Sequence, residues 1–206
     1  MNTILRACNL SKSFGLQEVL TNINFDIQSG DIVGLIGKNG CGKTTLMKMI
    51  LGFTSQTQGY IQFEGDPNYH TKRKTLNKIG FLLDCRLFED FSAYDNLKLF
   101  SMYSSTVNEE NLDDRIERLL KFVGLDNSKK LVKSISFGMK QRLGLALALL
   151  DDPEFLILDE PFVGLDPTGV RVLLDYIVKL RLEKGVTILN SSHQLHEIEE
   201  ICDYFL

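Results

Sequence analysis

Short stretches of alternating or continuous apolar residues occupy the first and last parts of the chain. Leu5–Leu10 and Val19–Ile27 alternate between apolar and polar residues, which predicts two strands with one buried face. Short apolar runs bounded by turn residues are typical of more deeply buried strands. These runs are Ile32–Ile36, Tyr60–Glu64, Ile79–Leu83, Phe155–Leu158 and Val186–Asn190.

Helical periodicity replaces this pattern in the middle of the chain. Ser92 and Asp95 have the spacing of a capping box, which predicts the start of one helix. Asn108 is expected to cap a second helix that ends at Gly124. The apolar face of this helix comprises Leu112, Ile116, Leu119, Leu120 and Val123. A third, apolar helix is predicted at Leu143–Leu150.

These segments predict a single domain over residues 1–206. Its α/β core comes from residues 1–84 and 151–206, and a helical lobe formed by residues 85–150 is inserted into that core. The composition is that of a globular protein, with 44% hydrophobic and 24% charged residues. A net charge of −4 favours no broad basic face, so a nucleic-acid partner is not expected.

The cysteines and the N-terminal residues restrict the location of the protein. The four cysteines are scattered without a C-x-x-C pair, which indicates a reducing compartment and no zinc site: Cys8, Cys41, Cys85 and Cys202. Met1–Leu10 has no signal-peptide pattern, and the longest apolar run is too short to span a bilayer. A role at a membrane would therefore require a partner.

A phosphate-binding loop is predicted directly after the strand Ile32–Ile36. The residues fit the pattern G-x-x-x-x-G-K-[ST] between a strand and a helix: Gly37, Lys38, Asn39, Gly40, Cys41, Gly42, Lys43, Thr44 and, after the motif, Thr45. Glycines allow successive N–H groups to turn toward phosphates, and a helix N-terminus favours negative charge. Lys43 is expected to reach the β- and γ-phosphates, and Thr44 to ligate Mg²⁺. The simplest interpretation of Cys41 is a small side chain that the loop tolerates, and the alternative is a redox switch.

Two carboxylates follow the predicted strand Phe155–Leu158. Asp159 at the carboxyl end of a buried strand would lie beside the Mg²⁺, and Glu160 would act as the general base for the attacking water. A second anion site is predicted at Ser136 and Gly138, which precede a helix. A single chain that binds one nucleotide needs only one γ-phosphate site. A second site is useful when two chains face each other, because each can then contact the nucleotide of the other.

The order and spacing of these motifs, together with Ser192-His193, resemble the ATP-binding subunits of ABC transporters over nearly the whole chain. The segment from Ile135 to Arg142 is most similar to the bacitracin-export and lantibiotic-immunity branch, which works with ABC-2 type permeases. The resemblance implies a P-loop NTPase fold with a small antiparallel β part and a helical subdomain. It also implies an ATP-driven dimer on the inner face of the cell membrane, with ATP and Mg²⁺ bound between two copies.

Further site residues follow from the resemblance alone. Phe14 would stack on adenine, although a core role is the alternative, and His193 would contact the γ-phosphate. Ser136 and Gly138 would bind the nucleotide of the opposite subunit, and Asp166 would lie near the partner's phosphate loop. Asp84 would hold Mg²⁺ where most members have glutamine, and its reach is shorter.

Other interpretations are left open by the sequence. The chain could be a soluble ABC ATPase of the translation or DNA-repair type, although it has one cassette and no long coiled coil. A nucleotide sensor without catalysis is a second alternative, and a metal site at His193 and His196 is a third. Family members usually continue beyond the position of Leu206, which favours a shortened chain.

Overall fold

The computed structural model describes residues 2–84, 86–104, 111–125, 130–193 and 195–206. An antiparallel sheet with the order β2-β1-β4 is formed by β1 (Thr3–Phe14), β2 (Gln17–Gln28) and β4 (Gln58–Phe63). A parallel sheet with the order β5-β6-β7-β3-β8 is formed by β3 (Ile32–Ile36), β5 (Ile79–Leu82), β6 (Phe155–Leu158), β7 (Thr187–Ser192) and β8 (Tyr204–Phe205). The predicted α/β fold with a small antiparallel part is therefore confirmed.

Seven α-helices accompany the sheets in the described residues: α1 (Lys43–Ile50), α2 (Arg73–Leu76), α3 (Ala93–Ser101), α4 (Leu112–Phe122), α5 (Phe137–Ala148), α6 (Pro167–Lys184) and α7 (Leu195–Ile198). The predicted helical segment contains α3, α4 and α5. Its separation from the core as a subdomain with boundaries at 85 and 150 stays a prediction.

The parallel sheet separates two hydrophobic cores. On one side, Met47, Phe63, Tyr69 and Phe155 pack between the two sheets and α1. On the other side, the sheet packs against the helices, with the buried residues Leu97, Ile116, Leu143, Phe162 and Ile177. Because β3 and β6 are covered on both faces, they carry no polar side chain. The strand β7 between them is also buried, but its second half is polar.

The helix signals in the sequence predict some boundaries well and others poorly. The capping box is confirmed, since Asp95 N donates to Ser92 Oγ at 3.1 Å and Ser92 N donates to Asp95 Oδ2 at 3.2 Å. The predicted cap Asn108 lies outside the described residues. Gly124 follows the second helix with a φ of +65°, as its role as a stop residue predicts.

Several boundaries differ from the prediction, and one long helix was not predicted. The strand β1 extends beyond the predicted Leu5–Leu10 at both ends. The helix α5 begins at Phe137, where Ser136 caps it, rather than at Leu143, and it ends at Ala148 rather than Leu150. The strand β7 extends to Ser192 instead of ending at Asn190. The helix α6 begins with Asp166 as its cap and Pro167 at its first position. That pair is a standard start signal and could have identified α6.

Candidate functional site

The loop between β3 and α1 has the backbone shape that its glycines predict. Gly42 has a φ of +105° and caps α1, so the helix N-terminus begins at Lys43. A Cβ on Gly37 would lie 2.4 Å from Cys41 Sγ, so a side chain at position 37 would require the Cys41 thiol to move. Lys38, Asn39, Gly40 and Cys41 are exposed along the outer rim of the loop.

Lys43 lies inside this loop with only 7% of its surface exposed. Its Nζ donates to the carbonyl of Gly37 at 2.7 Å and lies 3.3 Å from Glu160 Oε1. A buried ammonium group requires such acceptors, because an unpaired charge out of water is costly. The loop therefore presents a fixed positive charge at the start of a helix, which is suited to bind phosphate oxygens.

Asp159 is held by two hydroxyl groups at the carboxyl edge of the parallel sheet. Thr44 Oγ1 donates to Asp159 Oδ2 at 2.6 Å, and Ser191 Oγ donates to Asp159 Oδ1 at 2.6 Å. The backbone N–H of Asp159 also donates to the carbonyl of Leu82 at 3.0 Å. The structure thus brings together the hydroxyl and the carboxylate that the sequence predicts as metal ligands.

Glu160 lies between Lys43 and His193. His193 Nδ1 is 3.3 Å from Glu160 Oε2, and Glu160 N donates to Ser191 Oγ at 2.8 Å. The backbone of Glu160 has a φ of +44°, in the left-handed region that is uncommon for residues other than glycine. This conformation turns the carboxylate of Glu160 toward the phosphate loop and away from the strand that precedes it.

Lys43, Thr44, Asp159 and Glu160 line a cavity of about 1030 Å³, which is large enough for a nucleotide, whereas Ser191 and His193 support it from outside the lining. The loop contributes Asn39, Gly40, Gly42, Lys43, Thr44 and Thr45, and the acidic residues are Asp84, Glu89, Asp159 and Glu160. The helix α5 contributes Phe137, Lys140 and Gln141. Asp84 follows β5 with a φ of +41° and lines this cavity; its role at Mg²⁺ stays a prediction.

Other predicted residues lie outside this cavity. The Phe14 ring is 53% exposed at the end of β1, with Lys12 Nζ 4.6 Å from its centroid. Ser136 is exposed as the cap of α5, where its Oγ accepts a hydrogen bond from Met139 N at 3.2 Å. A Cβ on Gly138 would lie 3.2 Å from Leu165 Cδ2, and Asp166 caps α6 by accepting from Gly169 N at 2.7 Å.

The structure adds residues that the sequence analysis missed and gives no support to one alternative. Ser191 was not predicted as a site residue, since it matches none of the motifs used. Lys140 and Gln141 lie in the segment Ile135–Arg142 that carries the resemblance, but no site role was predicted for them. Within the described residues, no group of three or more His, Cys, Asp or Glu side chains is arranged to hold a metal ion, so the alternative site at His193 and His196 gains no support.

Comparison with known proteins gives a consistent result. The ABC transporter family model matches residues 20–163. The lantibiotic transport ATP-binding protein SrtF of Streptococcus pyogenes is 43% identical over 98% of this chain and 85% of its own length. The bacitracin transport ATP-binding protein BcrA of Bacillus licheniformis is 40% identical over 99% of this chain and 66% of its own length. All three findings agree with the transporter prediction and not with the translation or repair alternative.

A solved structure extends the likeness to the fold. The cbiO1 protein of Clostridium perfringens, described as part of the ABC transporter complex cbiONQ, is 31% identical and superposes with a TM-score of 0.86 over 98% of this chain and 83% of that one. The chain therefore belongs to the ABC transporter family, as an ATP-binding subunit with ATPase activity.

Proposed function

We propose that this subunit powers a separate ABC-2 type membrane permease by ATP-driven dimerisation and so exports a peptide antibiotic or a similar small molecule. The observation that carries the proposal is the contact network from Thr44 through Asp159 to Glu160, Lys43 and His193. It presents one cation, one hydroxyl and two carboxylates to a single cavity.

Within this cavity each side chain has a distinct role. Thr44 and Asp159 offer the oxygen ligands that Mg²⁺ prefers, and Asp84 faces the same space, so the residues present fit that ion. Bound Mg²⁺ would neutralise charge on the phosphates. Lys43 binds the β- and γ-phosphates, together with the backbone N–H groups of residues 37–45. Glu160 accepts a proton from the attacking water, and His193 orients Glu160 through their 3.3 Å contact.

A second copy completes the site. Ser136 and Gly138 lie at the N-terminus of the twelve-residue helix α5, where a hydroxyl and N–H groups favour an anion. Ser136 is exposed and does not line the cavity formed with its own phosphate loop. Both residues are therefore available to the γ-phosphate bound by a partner copy. ATP then joins two subunits, and its hydrolysis removes the bridge.

An exposed aromatic surface supports docking to a permease. Phe88 lies in the segment that follows the cavity residue Asp84. The centroid of its ring is 6.0 Å from that of Phe91 and 5.7 Å from that of Phe100. Nearby, Met102 and Tyr103 are 77% and 82% exposed. Exposed apolar groups of this size are typical of interaction sites. Because Phe88 lies between the cavity-lining residues Leu87 and Glu89 in the chain, movement of the permease would be coupled to the nucleotide cavity.

The names of the relatives support a proposal about the location and the cargo. Among the described residues, no helix is both long and apolar enough to cross a membrane. We propose that the subunit lies on the cytoplasmic face of the cell membrane, where the permease holds it. The relatives named for lantibiotic and bacitracin transport favour a peptide antibiotic as the exported cargo.

Reconstitution tests the complete proposal. The tagged subunit is purified from native membranes, the co-purifying integral membrane protein is identified, and both are placed in liposomes with labelled peptide antibiotics. ATP-dependent movement of a peptide, abolished by Glu160→Gln, is the expected result. A stable complex with a permease that moves no peptide would contradict the cargo, and the absence of any permease would contradict the docking.

A further inference from the structure

Ser191 lies at the junction of the two carboxylates that the proposed function requires. Its hydroxyl donates to Asp159 Oδ1 at 2.6 Å and accepts from the backbone N–H of Glu160 at 2.8 Å. The side chain is fully buried, with no exposed surface. A hydroxyl has one proton to donate, so this geometry commits that proton to Asp159.

The position of Ser191 in the sheet explains how it reaches both residues. It lies on β7, directly beside β6, and pairs with Leu35 of β3 on the other side. Asp159 and Glu160 follow the last residue of β6, Leu158, whose partner on β7 is Asn190. Ser191 is therefore the first β7 residue beyond the end of β6, where the chain of the acidic pair leaves the sheet.

Each hydrogen bond restrains one property of the site. The bond to Oδ1 fixes the plane of the Asp159 carboxylate, so that Oδ2 faces Thr44 at 2.6 Å. The bond from Glu160 N restrains a backbone with a φ of +44°. Such a conformation persists only where the surroundings hold it, and a buried acceptor on the neighbouring strand does so.

We infer that Ser191 is a positioning residue for the ATPase reaction, acting through Asp159 on the Mg²⁺ ligand geometry and through Glu160 on the direction of the general base. This inference rests on the proposed roles of Asp159 and Glu160. Partners that orient metal ligands in this way typically change metal affinity or activity by about 10- to 100-fold when they are removed. Ser191→Ala would leave the Lys43 contacts to the loop in place, so ATP binding without Mg²⁺ is unaffected.

The same strand offers a matched control. Thr187 is also a fully buried hydroxyl that accepts from a backbone N–H, that of Gly30, at 2.9 Å. It lies at the opposite end of β7 from the acidic pair. Thr187→Val removes a comparable hydrogen bond without touching the site, so it reports the effect of losing a buried hydroxyl on folding alone.

The experiment uses the full chain and two readouts. The first is the Mg²⁺ dependence of binding of a fluorescent, non-hydrolysable ATP analogue, followed by kcat and KM for ATP. The second is amide hydrogen exchange of the segment containing Glu160 in the nucleotide-free protein. Ser191→Ala is expected to raise the Mg²⁺ concentration for half-saturation and lower kcat by about tenfold or more, with faster exchange at Glu160. Ser191→Thr, which keeps the hydroxyl, restores the Mg²⁺ dependence, kcat and the exchange rate at Glu160. Thr187→Val changes none of these three.

The outcomes separate this inference from the proposed function. If Ser191→Ala binds Mg²⁺-nucleotide and exchanges at Glu160 like Thr187→Val, Ser191 has no positioning role. If the native chain binds no ATP, the proposed roles fail, and the exchange of nucleotide-free Glu160 still decides whether Ser191 restrains it. If Ser191→Ala does not fold, Ser191→Cys, a weaker donor, is compared with Ser191→Thr, and equal behaviour of those two overturns the inference.

Discussion

Lys43 Nζ lies 3.3 Å from Glu160 Oε1, so the cation of the phosphate loop and the carboxylate that follows Asp159 neutralise each other across the cavity. The Lys43 side chain is 5% exposed and that of Glu160 is 29% exposed, so the pair is poorly screened by solvent. ATP phosphates would replace Glu160 as the counter-charge of Lys43. Nucleotide binding would then free the carboxylate to accept a proton from water.

Replacement of Lys43 tests the phosphate loop. Lys43→Ala removes the one buried cation among the described residues 37–45, and it leaves Asp159 and Glu160 facing the cavity. We expect the affinity for ATP to fall by about a hundredfold or more, equivalent to ~2.8 kcal/mol, as measured by fluorescent-nucleotide titration. Lys38→Ala is the control, because Lys38 is an exposed residue of the same loop. Tight binding by Lys43→Ala would refute the loop assignment.

Replacement of Glu160 tests the general base and the dimer together. Glu160→Gln keeps the shape of the side chain and removes its basicity, so we expect kcat to fall by about 10²- to 10⁴-fold with ATP still bound. Mg-ATP should then hold two copies together, visible as a dimer by size-exclusion chromatography with light scattering. Adding Ser136→Ala should weaken that dimer. A Glu160→Gln protein that stays monomeric at saturating Mg-ATP would contradict the shared site.

The sequence predicts the parts of the site that are local in the chain. The loop from Gly37 to Thr45 carries its chemistry, its helix and its preceding strand within one segment, and the structure has them as predicted. The role of Ser191 depends on which strands are neighbours, because β7 pairs with β6 although 28 residues separate Leu158 from Thr187. Strand order depends on the tertiary structure and cannot be deduced from one short segment. A single serine also forms no recognisable motif, so the sequence gives no indication that Ser191 belongs to the site.

The boundary errors have a similar physical origin. Residues 137–142 are helical although they include a glycine and several polar side chains, because Ser136 caps the helix and α5 packs into the core from Leu143 onward. The periodic spacing of apolar residues reveals the buried part of α5 and gives no signal for its exposed first turns. The end of β7 was misplaced because Ser191 and Ser192 are polar, and they are buried at 0% and 1% exposure where the site requires them.

Replacement of Phe14 tests the predicted stacking on adenine. The ring is half exposed, with Lys12 over one face, which leaves the opposite face for a base. Stacking of a base on an aromatic ring contributes about 1–3 kcal/mol, so Phe14→Leu should weaken ATP binding and leave the competition by inorganic triphosphate unchanged. Leu16→Ala, at a fully exposed neighbouring residue, should alter neither. Equal losses for ATP and triphosphate would place Phe14 in a structural role.

Arg115 links α4 to the residues that follow α5, and its removal should destabilise the fold. Arg115 Nε donates to the carbonyl of Leu150 at 2.7 Å, and Arg115 Nη1 donates to Asp152 Oδ2 at 2.6 Å. Burial by itself would raise the pKa of Asp152, but the hydrogen bonds from Arg115 and Lys184 outweigh it and hold the pKa below its usual value. Arg115→Met should lower the free energy of unfolding by about 1.5–3 kcal/mol, measured by urea denaturation at neutral pH.

The pH dependence distinguishes the carboxylate from the carbonyl in this contact. A carboxyl group whose pKa is lowered by folding stabilises the protein above its unfolded pKa of about 3.9, and that contribution disappears as the pH falls toward the folded pKa. The cost of Arg115→Met should therefore shrink below about pH 4 and should not vanish, because the bond to the Leu150 carbonyl does not titrate. Lys179→Met removes an exposed pair with Glu183 at 3.8 Å and should change stability little at any pH. A cost for Arg115→Met that is independent of pH would exclude a contribution from Asp152.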